Sequence, residues 1–219
     1  MEWIYPARFT DKLGTEATTI RNDGKNLFVA LRGVQFSGDD FDGFEPDPNT
    51  LKEKLTQFTF FGASYLCGYV LDVDIEIPLL ISGKEQKGIL VVHLDLGYPA
   101  ASGGTDRETL QLFLRINADE YSSEGKTGFF EYELLSLQRR MPPGMTLKMC
   151  FSCAYSDYSP YGHGLFGTML CFRSCKAEYL RVQSKDDFFK LEEGKWELVQ
   201  ETYLCADFDI RKPNTGYRG

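Results

Sequence analysis

Apolar residues recur at period two over much of this chain. In Val70-Leu71-Asp72-Val73-Asp74-Ile75-Glu76-Ile77, apolar and acidic positions alternate from Leu71 onward. A pleated strand would therefore carry Leu71, Val73, Ile75 and Ile77 on one face and the three carboxylates on the other. Leu110, Leu112, Leu114 and Ile116 repeat the pattern opposite Gln111, Phe113 and Arg115. Residues 17–21, 26–36, 65–77, 88–96 and 109–116 are rich in β-branched or aromatic side chains, and Gly, Asn, Asp or Pro punctuates them. Such segments predict strands. Asn22-Asp23-Gly24-Lys25 has hairpin chemistry, because Asp-Gly tolerates the positive φ angles of a tight turn.

Helical periodicity is sparse. Residues 48–55 predict a short helix with Asn49 or Thr50 as cap. Residues 127–140 predict a longer one, with Phe130, Leu134 and Leu137 on one stripe, Glu131 and Glu133 early, and Arg139 and Arg140 last. That order of charge suits the helix dipole, and Pro142-Pro143-Gly144 stops the helix. No long helix separates successive strands, so antiparallel pairing is expected rather than βαβ units. The expected fold is mainly β (α+β): an antiparallel, sandwich-like sheet with one or two covering helices, followed by a C-terminal zinc-ribbon-like module. An acidic β-rich domain would span 1–140, and a cysteine-rich module 145–219.

The composition is that of a folded chain: 42% of the 219 residues are hydrophobic, with 17 Phe and 12 Tyr. No run approaches the roughly 20 apolar residues of a membrane helix, and the start Met1-Glu2-Trp3-Ile4-Tyr5-Pro6 does not read as a signal peptide. A cytoplasmic location is expected. Charge is uneven: residues 141–219 hold 10 basic and 10 acidic side chains, so the whole net charge of −8 lies upstream. So acidic a surface repels phosphate backbones and anionic lipid. Nucleic acid and membrane are thus disfavoured as partners, and a basic protein partner fits better.

The candidate chemistry is concentrated in cysteines. Cys150-Phe151-Ser152-Cys153 places two thiols on one tight turn, and Cys171 follows after 17 intervening residues. A Cys-x-x-Cys pair with further thiols downstream suggests a structural zinc site, and in a reducing compartment metal binding is favoured over disulfides. The fourth ligand is open among Cys175, Cys205 and His163. Cys67, in Leu66-Cys67-Gly68-Tyr69, fits a strand in the core.

The stretch from Cys150-x-x-Cys153 through Tyr155-Ser156-Asp157-Tyr158-Ser159-Pro160-Tyr161-Gly162, Cys171-Phe172-Arg173 and Gln200-Glu201-Thr202-Tyr203-Leu204-Cys205 resembles an uncharacterised bacterial family of unknown function. The resemblance covers residues 148–219. It implies the ligand set Cys150, Cys153, Cys171 and Cys205, with Cys175 a spare thiol, and brings no activity or partner with it.

Tyr155, Tyr158, Tyr161 and Phe166 lie among Ser, Pro and Gly. They are expected to wrap the metal turn, or else to serve with Asp157 as anchors for a partner. Asp40 and Asp42, in the acidic run 39–47, are the other candidate partner contacts. That run lacks the oxygen spacing of an EF-hand loop. Gly162-His163-Gly164-Leu165-Phe166-Gly167 matches a dinucleotide fingerprint on paper but has no strand before it. His93 sits within a strand pattern, where a structural role suffices. The expected function is that of a non-enzymatic cytoplasmic protein-binding or accessory protein, immunity-like in neutralising a basic partner, with a tetrathiolate zinc site. The alternative is a thiol-dependent enzyme with a reactive cysteine.

Overall fold

A computed structural model describes residues 2–160, 162, 164–191 and 194–216. The chain is mainly β and its strands pair antiparallel. It divides into two compact units, Met1–Glu76 with Gly88–Met141, and Ile77–Lys87 with Pro142–Gly219.

The first unit begins with β1 (Trp3–Asp11), β2 (Gly14–Asn22), β3 (Leu27–Leu31), β4 (Val34–Gly38) and β5 (Glu45–Pro46). The short helix α1 (Lys52–Leu55) and the hairpin β6 (Thr59–Phe61) and β7 (Tyr65–Cys67) follow. Then come β8 (Tyr69–Ile81) and β9 (Lys84–Leu96), whose facing ends at 77–87 belong to the second unit, and β10 (Glu108–Ile116), β11 (Asp119–Ser122) and α2 (Phe130–Arg140). The strand order is β11-β10-β9-β8-β1-β2-β3-β4-β5. Pairings such as Phe9↔Leu71 and Leu112↔Val92 align the period-two positions of neighbours. Leu71, Val73, Ile75, Leu90, Val92, Leu94, Leu110, Leu112 and Leu114 are consequently all buried. The intervening polar positions pair with one another: Asp72 binds Arg8 at 2.8 Å and His93 Nδ1 at 2.7 Å.

Two expected strands are each divided. Residues 26–36 form β3 and β4, which turn at Arg32 (φ 47°) and Gly33 (φ 76°), the left-handed pair of a two-residue hairpin. Residues 65–77 break at Gly68 (φ 69°). Strand β1 is an addition, its pattern interrupted by Pro6. The β8-paired stretch of β1 starts only at Ala7.

Helix α2 begins three residues later than its pattern suggested, because Glu133 is occupied with the preceding loop. Its carboxylate accepts the backbone N–H groups of Gly125 (2.8 Å), Lys126 (3.1 Å) and Thr127 (2.9 Å) and the Thr127 hydroxyl (2.8 Å). Phe130, Leu134 and Leu137 are buried on its inner face, as the stripe requires.

In the second unit, β12 (Met145–Leu147) pairs with the Leu79–Ile81 end of β8, and Lys148 binds Glu85 at 2.5 Å. Next come β13 (Ser156–Tyr158), β14 (Met169–Cys171), α3 (Lys176–Tyr179), α4 (Lys185–Phe188) and β15 (Glu197–Val199). The order β13-β14-β15 makes a sheet of three-residue strands. A core of Leu170, Phe172, Cys175, Tyr179, Val182 and Phe188 lies beside it, with Leu191 and Trp196 at its margin. Phe172 stacks on Tyr179 with centroids 4.2 Å apart and rings 3° from parallel, and Phe188 meets Phe172 edge-on at 5.7 Å. Strands this short supply few ladder bonds, so the polypeptide between them must be tied down by other means.

Candidate metal centre

The local chain around Cys150 explains how its neighbours reach it. Residues Cys150–Ser152 form a single helical turn closed by the Cys153 N–H on the Cys150 carbonyl (2.9 Å). The turn is bound to the C-terminal segment on both sides. Cys150 and Phe151 donate to the carbonyls of Tyr203 (2.7 Å) and Glu201 (3.1 Å), and Ala154 donates to Asp209 (2.8 Å). Arg211 donates in turn to Ser152 (2.9 Å), beside an isolated bridge of Cys153 with Ile210. These bonds bring the chain either side of Cys205 against the Cys150–Cys153 turn. Cys171 enters through the sheet, because β13 pairs Ser156 with Cys171 and Phe172 donates to Tyr155 at 2.7 Å.

Cys150, Cys153 and Cys171 are buried, Cys205 is half-buried, and all are free thiols. Burial pushes the Cys150 thiol far up, and Cys171, Cys153, Cys205 and Glu201 raise it further by their charge. Burial also raises Cys171, against the opposing pull of the Arg173 N–H and guanidinium and with an added push from Cys205. Cys153, Cys171 and Cys205 thus each lie within electrostatic reach of Cys150, and Cys205 within reach of Cys171. Two of the sulfurs accept a backbone N–H from the residue two further on: Tyr155 to Cys153 Sγ at 3.5 Å, and Arg173 to Cys171. The second of these favours the Cys171 thiolate. Among the described residues, no three His, Cys, Asp or Glu side chains are placed as a closed ligand set. The thiols are neighbours without coordination spacing.

Cys175 stands elsewhere. It belongs to the Phe172–Tyr179 core and donates to the Lys195 carbonyl at 3.3 Å, and after burial the charges acting on it are those of Glu178 and Lys195. Cys67 is buried in β7, with its thiol pushed up by burial and by Asp106. His163 and Tyr161 lie outside the described residues.

The expected partner-contact residues turn mostly inward. Tyr158 and Asp157 are buried in β13, where Asp157 accepts the Tyr179 hydroxyl at 2.8 Å and lies 3.8 Å from the Arg211 guanidinium. Burial raises the Asp157 carboxyl to about 6. Phe166 is buried as well, and Tyr155 is half-buried under the Lys176 ammonium, 4.7 Å from its ring centroid. Alternation in a short edge strand was outweighed by the need to fill a small core, so Asp157 and Tyr158 are interior residues and not a docking surface. Asp40 is likewise buried and accepts the Phe41 N–H at 2.6 Å. Asp42 is half-buried, its carboxyl raised by burial and by Asp39 and lowered by a hydrogen bond with Asp40. The same acidic group reaches Glu108, raised by burial and by Asp42.

Sequence reasoning missed Glu201. Its side chain is fully buried, accepts the Gly167 N–H at 2.7 Å and a bond from Tyr158, and is raised by burial to about 7. Nothing in Gln200-Glu201-Thr202 marks a glutamate for burial; its position follows from the return of the chain past Phe151.

A family of unknown function, DUF6304, matches residues 3–156. Cys150 and Cys153 fall within that stretch, and Cys171, Cys175 and Cys205 lie beyond it. No curated protein and no solved structure matches the chain. Among the described residues, no helix is long and apolar enough to cross a membrane.

Proposed function

The chain belongs to DUF6304, a family of unknown function, and we propose that it is a non-enzymatic protein-binding or accessory protein whose C-terminal unit is organised by one structural Zn2+. Cys150, Cys153, Cys171 and Cys205 are the proposed ligands, in a zinc-ribbon-like arrangement. The observation that carries this reading is the backbone pairing that lays the chain either side of Cys205, and the β13–β14 pair that carries Cys171, beside the Cys150–Cys153 turn, with Cys175 held in a separate core. The two N–H···S turns, the burial of three of the sulfurs and the short strands around them fit a closed tetrathiolate site. Such a site crosslinks chain segments and leaves no position for a reacting water.

The alternative is a thiol-dependent enzyme. A nucleophilic cysteine needs a depressed pKa, whereas Cys67, Cys150, Cys171 and Cys175 are all raised. With a net charge of −8 residing upstream of residue 141, a basic protein is the favoured partner and nucleic acid or anionic membrane is not. A cytoplasmic, immunity-like role in neutralising such a partner suits this charge and the six free thiols.

The test is metal analysis of the full-length chain with thiol titration, alongside mass spectrometry of what co-purifies. About one zinc per chain with few reactive thiols supports the reading. A metal-free protein with one fast-reacting, low-pKa thiol would replace it with the enzyme.

A further inference from the structure

The C-terminal segment is held down by polar contacts and not by a core of its own. Among residues 206–216 only Gly216 is buried, while Ala206, Asp207, Asp209, Ile210 and residues 212–214 are exposed. A short backbone ladder ties the segment to the thiol turn: Ala154 donates to Asp209 at 2.8 Å, Arg211 donates to Ser152 at 2.9 Å, and Cys153 is bridged to Ile210. Segments with so little buried apolar surface open locally, well below the free energy of global unfolding.

What fixes this one is a seat beneath its far end. The Arg211 guanidinium donates through Nη2 to the Ser156 carbonyl and through Nη1 to the Thr215 carbonyl at 3.3 Å, and it lies 3.8 Å from the Asp157 carboxylate. The first bond anchors the segment to β13. The second closes a turn through Asn214 (φ 62°) that brings Gly216 back onto Asp157 and Tyr179, themselves hydrogen-bonded at 2.8 Å. A β-carbon at 216 would overlap the Tyr179 hydroxyl oxygen and stand 3.0 Å from Asp157 Oδ2, and φ there is 72°. Close approach and backbone angle both demand glycine. The seat is also imperfect, because Arg211 Nε is buried with no hydrogen-bond acceptor among the described residues. An unmet buried donor costs stability and favours release.

We propose that residues 206–216 form a clasp over the Cys150–Cys153 turn, seated by Arg211 and Gly216 on Asp157 and Tyr179, and that unseating it opens those two thiols to solutes. Seated, the clasp completes the burial of Cys150 and Cys153, which are 3% and 5% exposed. Unseated, it releases the backbone groups of residues 152–154 that it now pairs, while Cys175 stays within the Phe172–Tyr179 core. The inference goes beyond the zinc reading, since the clasp governs access to the thiols whether or not they hold Zn2+.

The experiment alkylates the full-length, chelator-treated chain with iodoacetamide and follows each cysteine by mass spectrometry, in wild type, R211Q, G216A and K212Q. Hydrogen exchange of the same chains is read in parallel. Removing one charge-assisted hydrogen bond shifts a local opening equilibrium about 10- to 100-fold. Cys150 and Cys153 should therefore be modified about 10- to 100-fold faster in R211Q, and at least about tenfold faster in G216A, where a β-carbon is forced into the seat. K212Q alters an exposed side chain of the same segment and should match wild type. Cys67 and Cys175 should keep their wild-type rates throughout, and exchange should quicken at 206–216 but not at 170–182. Wild-type rates at Cys150 and Cys153 in both R211Q and G216A overturn the proposal. Equal acceleration at Cys175 also overturns it, since the whole unit and not the clasp would then have opened. So does a chelator-treated wild type whose Cys150 and Cys153 react as fast as in urea, because the segment would then seal nothing without metal. G216A, altered near the end of the segment, keeps the test open should R211Q fold poorly. Protection that depends on Arg211 and Gly216 in a chain taking up no Zn2+ supports the clasp and removes the zinc reading, so the two fail separately.

Discussion

Glu133→Gln should destabilise the first unit while leaving the proposed zinc site intact. In the native chain, Oε2 accepts the Gly125 N–H at 2.8 Å, and Oε1 accepts the N–H groups of Lys126 and Thr127 and the Thr127 hydroxyl. The side chain is buried, so water is a poor substitute. An amide keeps one acceptor and turns an NH2 toward at least one of these donors, so one charge-assisted bond is lost outright and the others weaken to neutral ones. With charged hydrogen bonds at about 1.5–3 kcal/mol and neutral ones at about 1, the cost is about 3 kcal/mol. For a urea dependence of 2–3 kcal/mol per molar, the unfolding midpoint should fall by about 1–1.5 M. Amide exchange at residues 125–127 should accelerate beyond the rest of the unit, because the bonds removed are those of that loop.

The pH dependence of the same side chain has a definite sign. Burial pushes the Glu133 carboxyl up, but the hydroxyls of Ser123 and Thr127 and the N–H groups of Gly125 and Thr127 outweigh it, so it titrates below its ordinary 4.5. A lowered acid contributes stability that is present above the unfolded value and lost as pH falls through the folded one. The gap between wild type and Glu133→Gln should therefore be full at neutral pH and narrow below pH 4.5. A midpoint unchanged to within about 0.2 M, together with unaltered exchange at 125–127, would refute the view that this carboxylate holds the loop.

Three further outcomes are expected. Cys150→Ser or Cys153→Ser should abolish the proposed zinc uptake and make the C-terminal segment sensitive to protease, whereas Cys67→Ser and Cys175→Ser should take up zinc as the wild type does; equal loss in all four variants contradicts the ligand assignment. Phe172→Ala, which removes a fully buried ring stacked on Tyr179, should cost about 3–5 kcal/mol in urea unfolding followed by Trp196 fluorescence. Asp157 titrates at about 6 in the folded chain against an ordinary 3.8, so through this group the wild type should lose up to about 3 kcal/mol as pH rises from 4 to 7. Asp157→Asn should flatten that slope, and an identical slope in the variant would remove Asp157 as its source.

Alternation made the β-rich class, the buried faces of β8 and β10 and the course of α2 legible in the sequence. Period-two and period-3.6 patterns are local, and burial enforces them residue by residue. The positive-φ turns at Arg32 and Gly68 were less legible. A glycine within an apolar run is compatible with a continuous strand, and only pairing with neighbours decides where the chain reverses.

The thiols divide in the same way. Cys-x-x-Cys spacing announces a pair from one turn, because its two sulfurs are constrained by a few bonds of backbone. Which distant thiol is brought near them is not a local property. It follows from the carbonyls of Glu201, Tyr203 and Asp209 accepting N–H groups of residues 150–154, which lays the chain either side of Cys205 against the turn, while the stacking of Phe172 on Tyr179 draws Cys175 into a separate core. The burial of Asp157, Tyr158 and Glu201 is tertiary too. In a unit built of three-residue strands, side chains that a sequence pattern leaves at the surface are enlisted to fill the interior, and only contacts across the fold determine which ones.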